Sequence, residues 1–294
     1  MKQEKKYSDK QFDPDGLSDL FSSHSKIPWE KSKAEIWNDL EEQIRKEDWT
    51  PVPVRHLLTG RQWLAVAASL TLLLSVSVFM RFYTVNAICP EGVHTALQLP
   101  DGSEVELNAA TQVKYHPYWW FISRQVELEG EAFFHVEKGK KFSVVSPYAT
   151  TEVLGTTFNV FARDRDYIVS CHSGSVRVSE NISGSTVVLS PMEKSTLEPS
   201  GGFTVTKLDN SLSSPGWTDK MIMFGSTPLK LVFEEIERQF GIVIETPVEM
   251  QQVYSGNFSL DQPVENILSL LCLPFDLEYE RKTGNTYLVY PARE

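Results

Sequence analysis

Hydrophobic and polar positions along the chain follow three successive patterns. Between Ile27 and Ile44, Ile36, Leu40 and Ile44 recur at every fourth position, with Trp29, Lys33 and Trp37 on an adjacent row. This spacing predicts an amphipathic helix whose single apolar stripe is backed by acidic residues. From Trp63 to Met80 there are 18 residues without a charge, a glycine or a proline. As a helix rising 1.5 Å per residue, that run is about 27 Å long, close to the hydrocarbon thickness of a bilayer.

Beyond about residue 93 the period falls to two. Leu97, Leu99, Val105 and Leu107 flank Asp101-Gly102, a dipeptide that predicts a two-residue hairpin turn. Further alternating runs are punctuated at Lys138-Gly-Lys140, Arg163-Asp-Arg-Asp166, Ser173-Gly174 and Ser183-Gly-Ser185. This spacing predicts an all-β domain, sandwich or solenoid-like. Asp209 to Gly216 reads as a linker, after which strand and helix patterns alternate. Ser226-Thr-Pro-Leu229 is expected to cap and open a helix whose apolar face is Leu229, Val232, Phe233 and Ile236 and whose end is Gly241. With strands at Met221–Phe224, Ile242–Glu245, Val253–Ser259, Leu277–Arg281 and Thr286–Tyr290, and a second helix over Pro263–Leu273, the result is an α+β βαββαββ module.

The expected organisation is that of a multidomain membrane protein. A small α segment occupies 1–60, a transmembrane helix 62–82, an all-β domain 90–208 and the α+β module 218–291. Arg61 and Arg81 bracket the apolar run, with Trp63 at one end and Phe82 and Tyr83 at the other placed to anchor in the headgroup region. About 60 charged, helix-patterned residues precede it, which argues against a cleaved signal peptide despite the cleavage-like Val85-Asn-Ala87. Basic residues near the two ends are Arg45, Lys46, Arg55 and Arg61 against Arg81 alone. The bias predicts a cytoplasmic N-terminus and a C-terminal part on the far side of the membrane.

Composition changes this picture little: the 294 residues are 41% hydrophobic and 23% charged, as in ordinary folded protein. The net charge of -11 is uneven, since residues 1–60 carry -2 and residues 82–294 carry -11. Such a chain lacks the basic footprint of a nucleic-acid binder, and its average charge gives no affinity for anionic lipid.

Candidate chemistry is sparse. There is no nucleophile elbow, Walker A loop, dinucleotide fingerprint or H-E-x-x-H helix. Cys89, Cys171 and Cys272 lie far apart and lack zinc-ligand spacing, and the six histidines are scattered. Cys171 and His172 are neighbours on a strand, so they face opposite ways. His135 reads as an exposed strand residue, and Glu127, Glu129 and Glu131 as a solvated acidic strand face. No enzyme activity, metal or cofactor is expected.

Four blocks carry a family resemblance: Leu99-Pro-Asp-Gly-Ser-Glu-Val-Glu-Leu-Asn-Ala109, Val126-Glu-Leu-Glu-Gly-Glu-Ala-Phe-Phe-His-Val136, Phe142-Ser-Val144 and Val153-Leu-Gly-Thr-Thr-Phe-Asn-Val160. In order and spacing they resemble the FecR family of inner-membrane anti-sigma factors, and Val169 to Val178 is similar to its next block. Residues 222–290 resemble the C-terminal domain that accompanies the family, itself similar to the short N-terminal domain of secretins and TonB-dependent receptors. The resemblance implies a single-pass inner-membrane protein, N-terminus cytoplasmic and C-terminus periplasmic. It implies coupling of the signalling domain of a TonB-dependent outer-membrane receptor to an extracytoplasmic-function sigma factor that transcribes uptake genes. Site-specific proteases take part in such transmission.

From the stripe, Trp29, Ile36, Trp37, Leu40 and Ile44 are the expected sigma-factor contacts. Strand addition to an edge of the C-terminal module, at Val253–Ser259 or Thr286–Tyr290, is the expected receptor contact, which singles out Val253, Tyr254, Phe258, Tyr287 and Val289. The reading from another class is a type II surface protein binding glycans or adhesive partners, prompted by the sequons Asn181-Ile-Ser183 and Asn257-Phe-Ser259.

Overall fold

The structure, a computed structural model, describes residues 31–46, 60–208, 214–247 and 250–292. The first helix, α1 (Lys33–Lys46), begins at a capping box. Ser32 Oγ accepts from the Glu35 amide (3.4 Å), and Glu35 returns a carboxylate oxygen to the Ser32 amide (2.6 Å). Arg45 and Lys46 occupy the last turn, where cations favour the helix dipole.

The second helix, α2 (Gly60–Phe82), is 23 residues long, and none of it is buried. Three of its polar side chains turn back onto the helix itself: Ser69 donates to the Val66 carbonyl (2.9 Å), Thr71 to Ala68 (2.9 Å) and Ser75 to Thr71 (2.8 Å). A helix so satisfied presents little unmet polarity to an apolar surrounding.

The β domain starts at Val85, ahead of the expected boundary. Its strands are β1 (Val85–Cys89), β2 (Thr95–Gln98), β3 (Glu104–Leu107), β4 (Thr111–Tyr115), β5 (Arg124–His135), β6 (Phe142–Val145) and β7 (Ala149–Val153). They continue as β8 (Thr157–Arg163), β9 (Asp166–Ser173), β10 (Val176–Glu180), β11 (Thr186–Leu189), β12 (Glu193–Leu197) and β13 (Phe203–Lys207). The 12-residue β5 organises the domain: its first half pairs with β4 and β6, its second half with β3 and β8.

The strand bends at Gly130, whose φ of +117° places its backbone so close to Thr111 that a Cβ would come within 2.6 Å of the threonine Oγ1. Only glycine fits there. The two halves of the sheet face each other over one core that includes Val126, Leu128 and Val144 from one and Phe134, Phe158 and Val169 from the other. The arrangement is sandwich-like.

The turn after β2 differs from expectation. Gly102 N donates to Leu99 O (3.0 Å) and Leu99 N to Ser103 O (2.8 Å), so the loop is Pro100-Asp101-Gly102, three residues long, with Gly102 left-handed (φ +87°). Pro100, fixed near φ −65°, suits the first inner position of a type I turn, and the glycine then supplies the bulge that follows. At Asp164-Arg165 the chain does make a two-residue turn, with both residues left-handed (φ 49° and 75°).

The C-terminal module contains β14 (Met221–Pro228), α3 (Leu229–Phe240), β15 (Val243–Glu245), β16 (Val253–Ser259), α4 (Val264–Cys272), β17 (Leu277–Arg281) and β18 (Thr286–Pro291), in βαββαββ order. Ser226 does not cap α3. The strand runs on to Pro228 past a bulge, and the first helical amide, Leu229 N, donates to the Gln252 carbonyl (2.8 Å), so a neighbouring strand end does the work of a cap. Leu229, Val232, Phe233 and Ile236 are buried as their spacing predicts, and Gly241 closes the helix in the left-handed conformation (φ +61°). β14 pairs with β16, while β18 lies between β15 and β17.

Candidate interaction surfaces

On α1 no residue is buried: Ile36 (40% exposed), Trp37 (59%), Leu40 (43%) and Ile44 (66%) form a wet apolar stripe. Trp29, expected on the same stripe, lies outside the described residues. Charged pairs support the rest of the helix, Lys31 with Asp39 (2.5 Å) and Lys46 with Glu42 (2.6 Å). The helix therefore presents apolar area that packing within the described chain does not use.

The expected receptor contacts separate into two groups. Val253 is 57% exposed and Tyr254 half-buried on β16, whose only strand partner among the described residues is β14, so one of its edges is open. Phe258, Tyr287 and Val289, by contrast, are core residues. The expectation that Thr286–Tyr290 is an edge is wrong. β18 is the central strand of its sheet, with its backbone groups committed on both sides, and the Tyr287 hydroxyl donates to Glu265 Oε1 at 2.6 Å. The alternation of Tyr287 and Val289 is that of a strand covered by a helix.

A polar site that the sequence reading placed in solvent lies where the C-terminal module meets the β domain. Glu127 and Glu129 are exposed as expected, but past the Gly130 bend the Glu131 carboxylate is enclosed. It accepts from Asn108 Nδ2 (2.7 Å), Asn159 Nδ2 (2.8 Å) and Trp217 Nε1 (3.1 Å). Trp217, just after the expected linker, is buried rather than trailing in solvent.

From α3, Gln239 donates to Asn108 Oδ1 (2.7 Å) and to Glu235 Oε1 (2.7 Å), and accepts from His94 Nε2 (2.8 Å). Gly92 N donates to the Arg238 carbonyl (2.8 Å). Burial, then the charge of Glu235, pushes the Glu131 carboxyl above the usual carboxylate range; the amide donors and Arg163 act against this. Glu131 keeps the outward parity of Glu127 and Glu129, since Val126, Leu128, Ala132 and Phe134 face the core on both sides of Gly130. No local sequence signal therefore marked its burial, which comes from the module laid over that face.

Cys89, Cys171 and Cys272 are free thiols buried in the two cores. Among the described residues, no three His, Cys, Asp or Glu side chains come together as a metal site. His135 is exposed on β5 and faces Glu106 at 3.6 Å.

The sequence model described as FecR protein matches residues 88–177, and the one described as FecR, C-terminal, matches residues 221–289, together more than half of the chain. A crystal structure of a candidate anti-sigma factor from Parabacteroides distasonis is 27% identical, with a TM-score of 0.65 over 72% of this chain and 100% of that one. A second structure, also of a candidate anti-sigma factor from that organism, gives a TM-score of 0.63 at 27% identity, covering 71% and 100%. No curated protein matches the chain. With both halves of the family's pattern found on the β domain and the C-terminal module, in the same order and over the fold just described, the chain belongs to the FecR family, whose anti-sigma factors are regulators.

Proposed function

We propose that the chain is a single-pass anti-sigma factor that carries a signal across the inner membrane. In this reading α2 spans the bilayer, residues 1–60 lie in the cytoplasm and the β domain and C-terminal module lie in the periplasm. The observation that carries the proposal is α2: a long, unburied apolar helix standing between an exposed amphipathic helix and the folded β and α+β domains. Such an order suits a protein that binds one partner on each side of a membrane.

On the inner side, Trp29, Ile36, Trp37, Leu40 and Ile44 bind an extracytoplasmic-function sigma factor, which completes the stripe. On the outer side, the signalling domain of a TonB-dependent receptor adds a strand at the open edge of β16, near Val253 and Tyr254. Proteases acting on the chain complete the response.

Capture of extracytoplasmic-function sigma factors of the same organism by the full-length chain, with Trp37→Ala as the comparison, tests the proposal. Binding that weakens in the variant supports it; no binding to any sigma factor overturns it.

A further inference from the structure

The β domain ends, on the side where α2 enters it, in a surface that the functions above leave unused. Val85 opens β1 only three residues after Phe82 closes α2. Register then carries that end across the sheet: Val85 pairs with Tyr115, Tyr115 with Val126, Arg124 with Phe142, and Phe142 with Val153. The loops 116–123 and 138–141 therefore lie at this same end.

The first loop reads Pro117-Tyr-Trp-Trp-Phe-Ile122. Trp120 turns inward, edge-on to Tyr115 and Phe142, while Tyr118, Phe121 and Ile122 are 46%, 68% and 54% exposed. The loop is held against the last turn of α2. The Arg81 guanidinium sits 5.3 Å above the Trp119 ring, Tyr83 and Tyr118 have ring centroids 5.2 Å apart, and His116 Nδ1 donates to the Tyr83 carbonyl (3.2 Å).

The second loop carries Lys138 and Lys140, both exposed, on a domain whose overall charge is acidic. Arg124 pins it by donating to the Lys140 carbonyl (2.7 Å) and the Glu137 carbonyl (2.9 Å), and is itself paired with Asp101. A shallow cavity of about 550 Å³ lies between the loops, lined by Trp120, Phe121, Lys138 and Lys140 among others.

We propose that this end of the β domain is a lipid-binding surface: Tyr118, Phe121 and Ile122 insert at the headgroup level of the outer leaflet while Lys138 and Lys140 meet anionic phosphates. The inference rests on the reading of α2 as a membrane helix. If its apolar run fills the hydrocarbon layer, Arg81 and Tyr83 stand in the headgroup layer, and side chains that touch them stand there too. Aromatic and aliphatic side chains next to lysines match the chemistry of that layer. The β domain is then attached to the bilayer at two places, the helix and the loop, and is not free to swivel about residues 83–84.

The full-length chain in nanodiscs of phosphatidylethanolamine and phosphatidylglycerol tests this, with a nitroxide placed by Ile122→Cys or, separately, Phe121→Cys, and depth read from the ratio of oxygen to nickel collision rates. Ser75→Cys in α2 and Ile182→Cys in the distal, 92% exposed loop give the bilayer and water references. A ratio at 122 and 121 several-fold above that at 182, falling in Lys138→Glu/Lys140→Glu or when phosphatidylcholine replaces both lipids, is the expected result. A membrane-buried Ser75 site with water-like 121 and 122 sites overturns the inference alone, while a water-like Ser75 site overturns the membrane reading with it. Depth at 122 that ignores both the lysine changes and the lipid charge overturns the phosphate contact.

Discussion

The indole N–H of Trp217 donates to the Glu131 carboxylate, 86 residues away in sequence, and this bond ties the start of the C-terminal module to the bend of β5. A buried carboxylate is costly unless each of its oxygens is occupied, and here the β domain supplies two donors and the module the third.

Trp217→Phe keeps most of the ring packing and removes the donor. The loss expected for an unmet buried carboxylate partner is about 1–3 kcal/mol. It is read as a lower urea midpoint together with faster amide exchange over Gly216–Asp219, with exchange in β8 and β9 little changed.

The same group makes the contact pH-dependent. Because burial raises the Glu131 carboxyl above its ordinary value near 4.5, the folded state holds its proton to a higher pH than the unfolded chain does. Its contribution therefore grows as pH falls from neutral through the raised value, and is lost as pH rises through it. Glu237, also raised by burial, acts in the same direction, whereas Asp101, Glu180 and Glu265, held low by hydrogen bonds, act in the opposite one. The difference between the parent protein and Glu131→Gln isolates the effect: the midpoint of the parent rises relative to that of the variant between pH 7 and 5.

The two strands proposed from sequence for receptor contact respond differently. Tyr287→Ala opens a cavity in the module core and breaks the bond to Glu265, so a loss of about 3–5 kcal/mol is expected, seen as early unfolding of the module. Val253→Asp, at an exposed edge position, leaves the thermal midpoint nearly unchanged and weakens capture of the receptor signalling domain. Equal stability losses in both variants would contradict the assignment of β16 as the open edge.

Burial pushes the Cys171 and Cys272 thiols up to about 11, so at pH 8 very little of either is thiolate. Alkylation followed by mass spectrometry is expected to be slow at both in the folded protein and rapid in urea. Fast native labelling of Cys272 would mean that the module opens more readily than its packing implies.

Much of this architecture was legible because local pattern and tertiary role agree. The every-fourth-residue spacing of Ile36, Leu40 and Ile44, the uncharged run from Trp63 to Met80, and the Leu229–Ile236 face with Gly241 at its end each point to one element. The misreadings arose where a residue's role depends on a partner distant in sequence. Ser226 resembles a cap, yet the Gln252 carbonyl takes the first helical amide. Thr286–Tyr290 reads as any alternating strand, and only its parallel pairing with β15 makes it central. Glu131 continues an acidic alternation, and its burial depends on Trp217 and Gln239 arriving from another part of the chain. The α1 stripe is legible as a surface, but its partner is not written in its spacing.

The most direct test of the central claim is the affinity of the full-length chain, in membranes, for extracytoplasmic-function sigma factors of its organism, measured beside Trp37→Ala. An exposed tryptophan at the centre of a helix-in-groove contact is expected to contribute about 2 kcal/mol, so the variant binds its sigma factor roughly 30-fold more weakly while its folded domains stay intact. Equal affinity in the two proteins, or no sigma factor bound by either, contradicts the account.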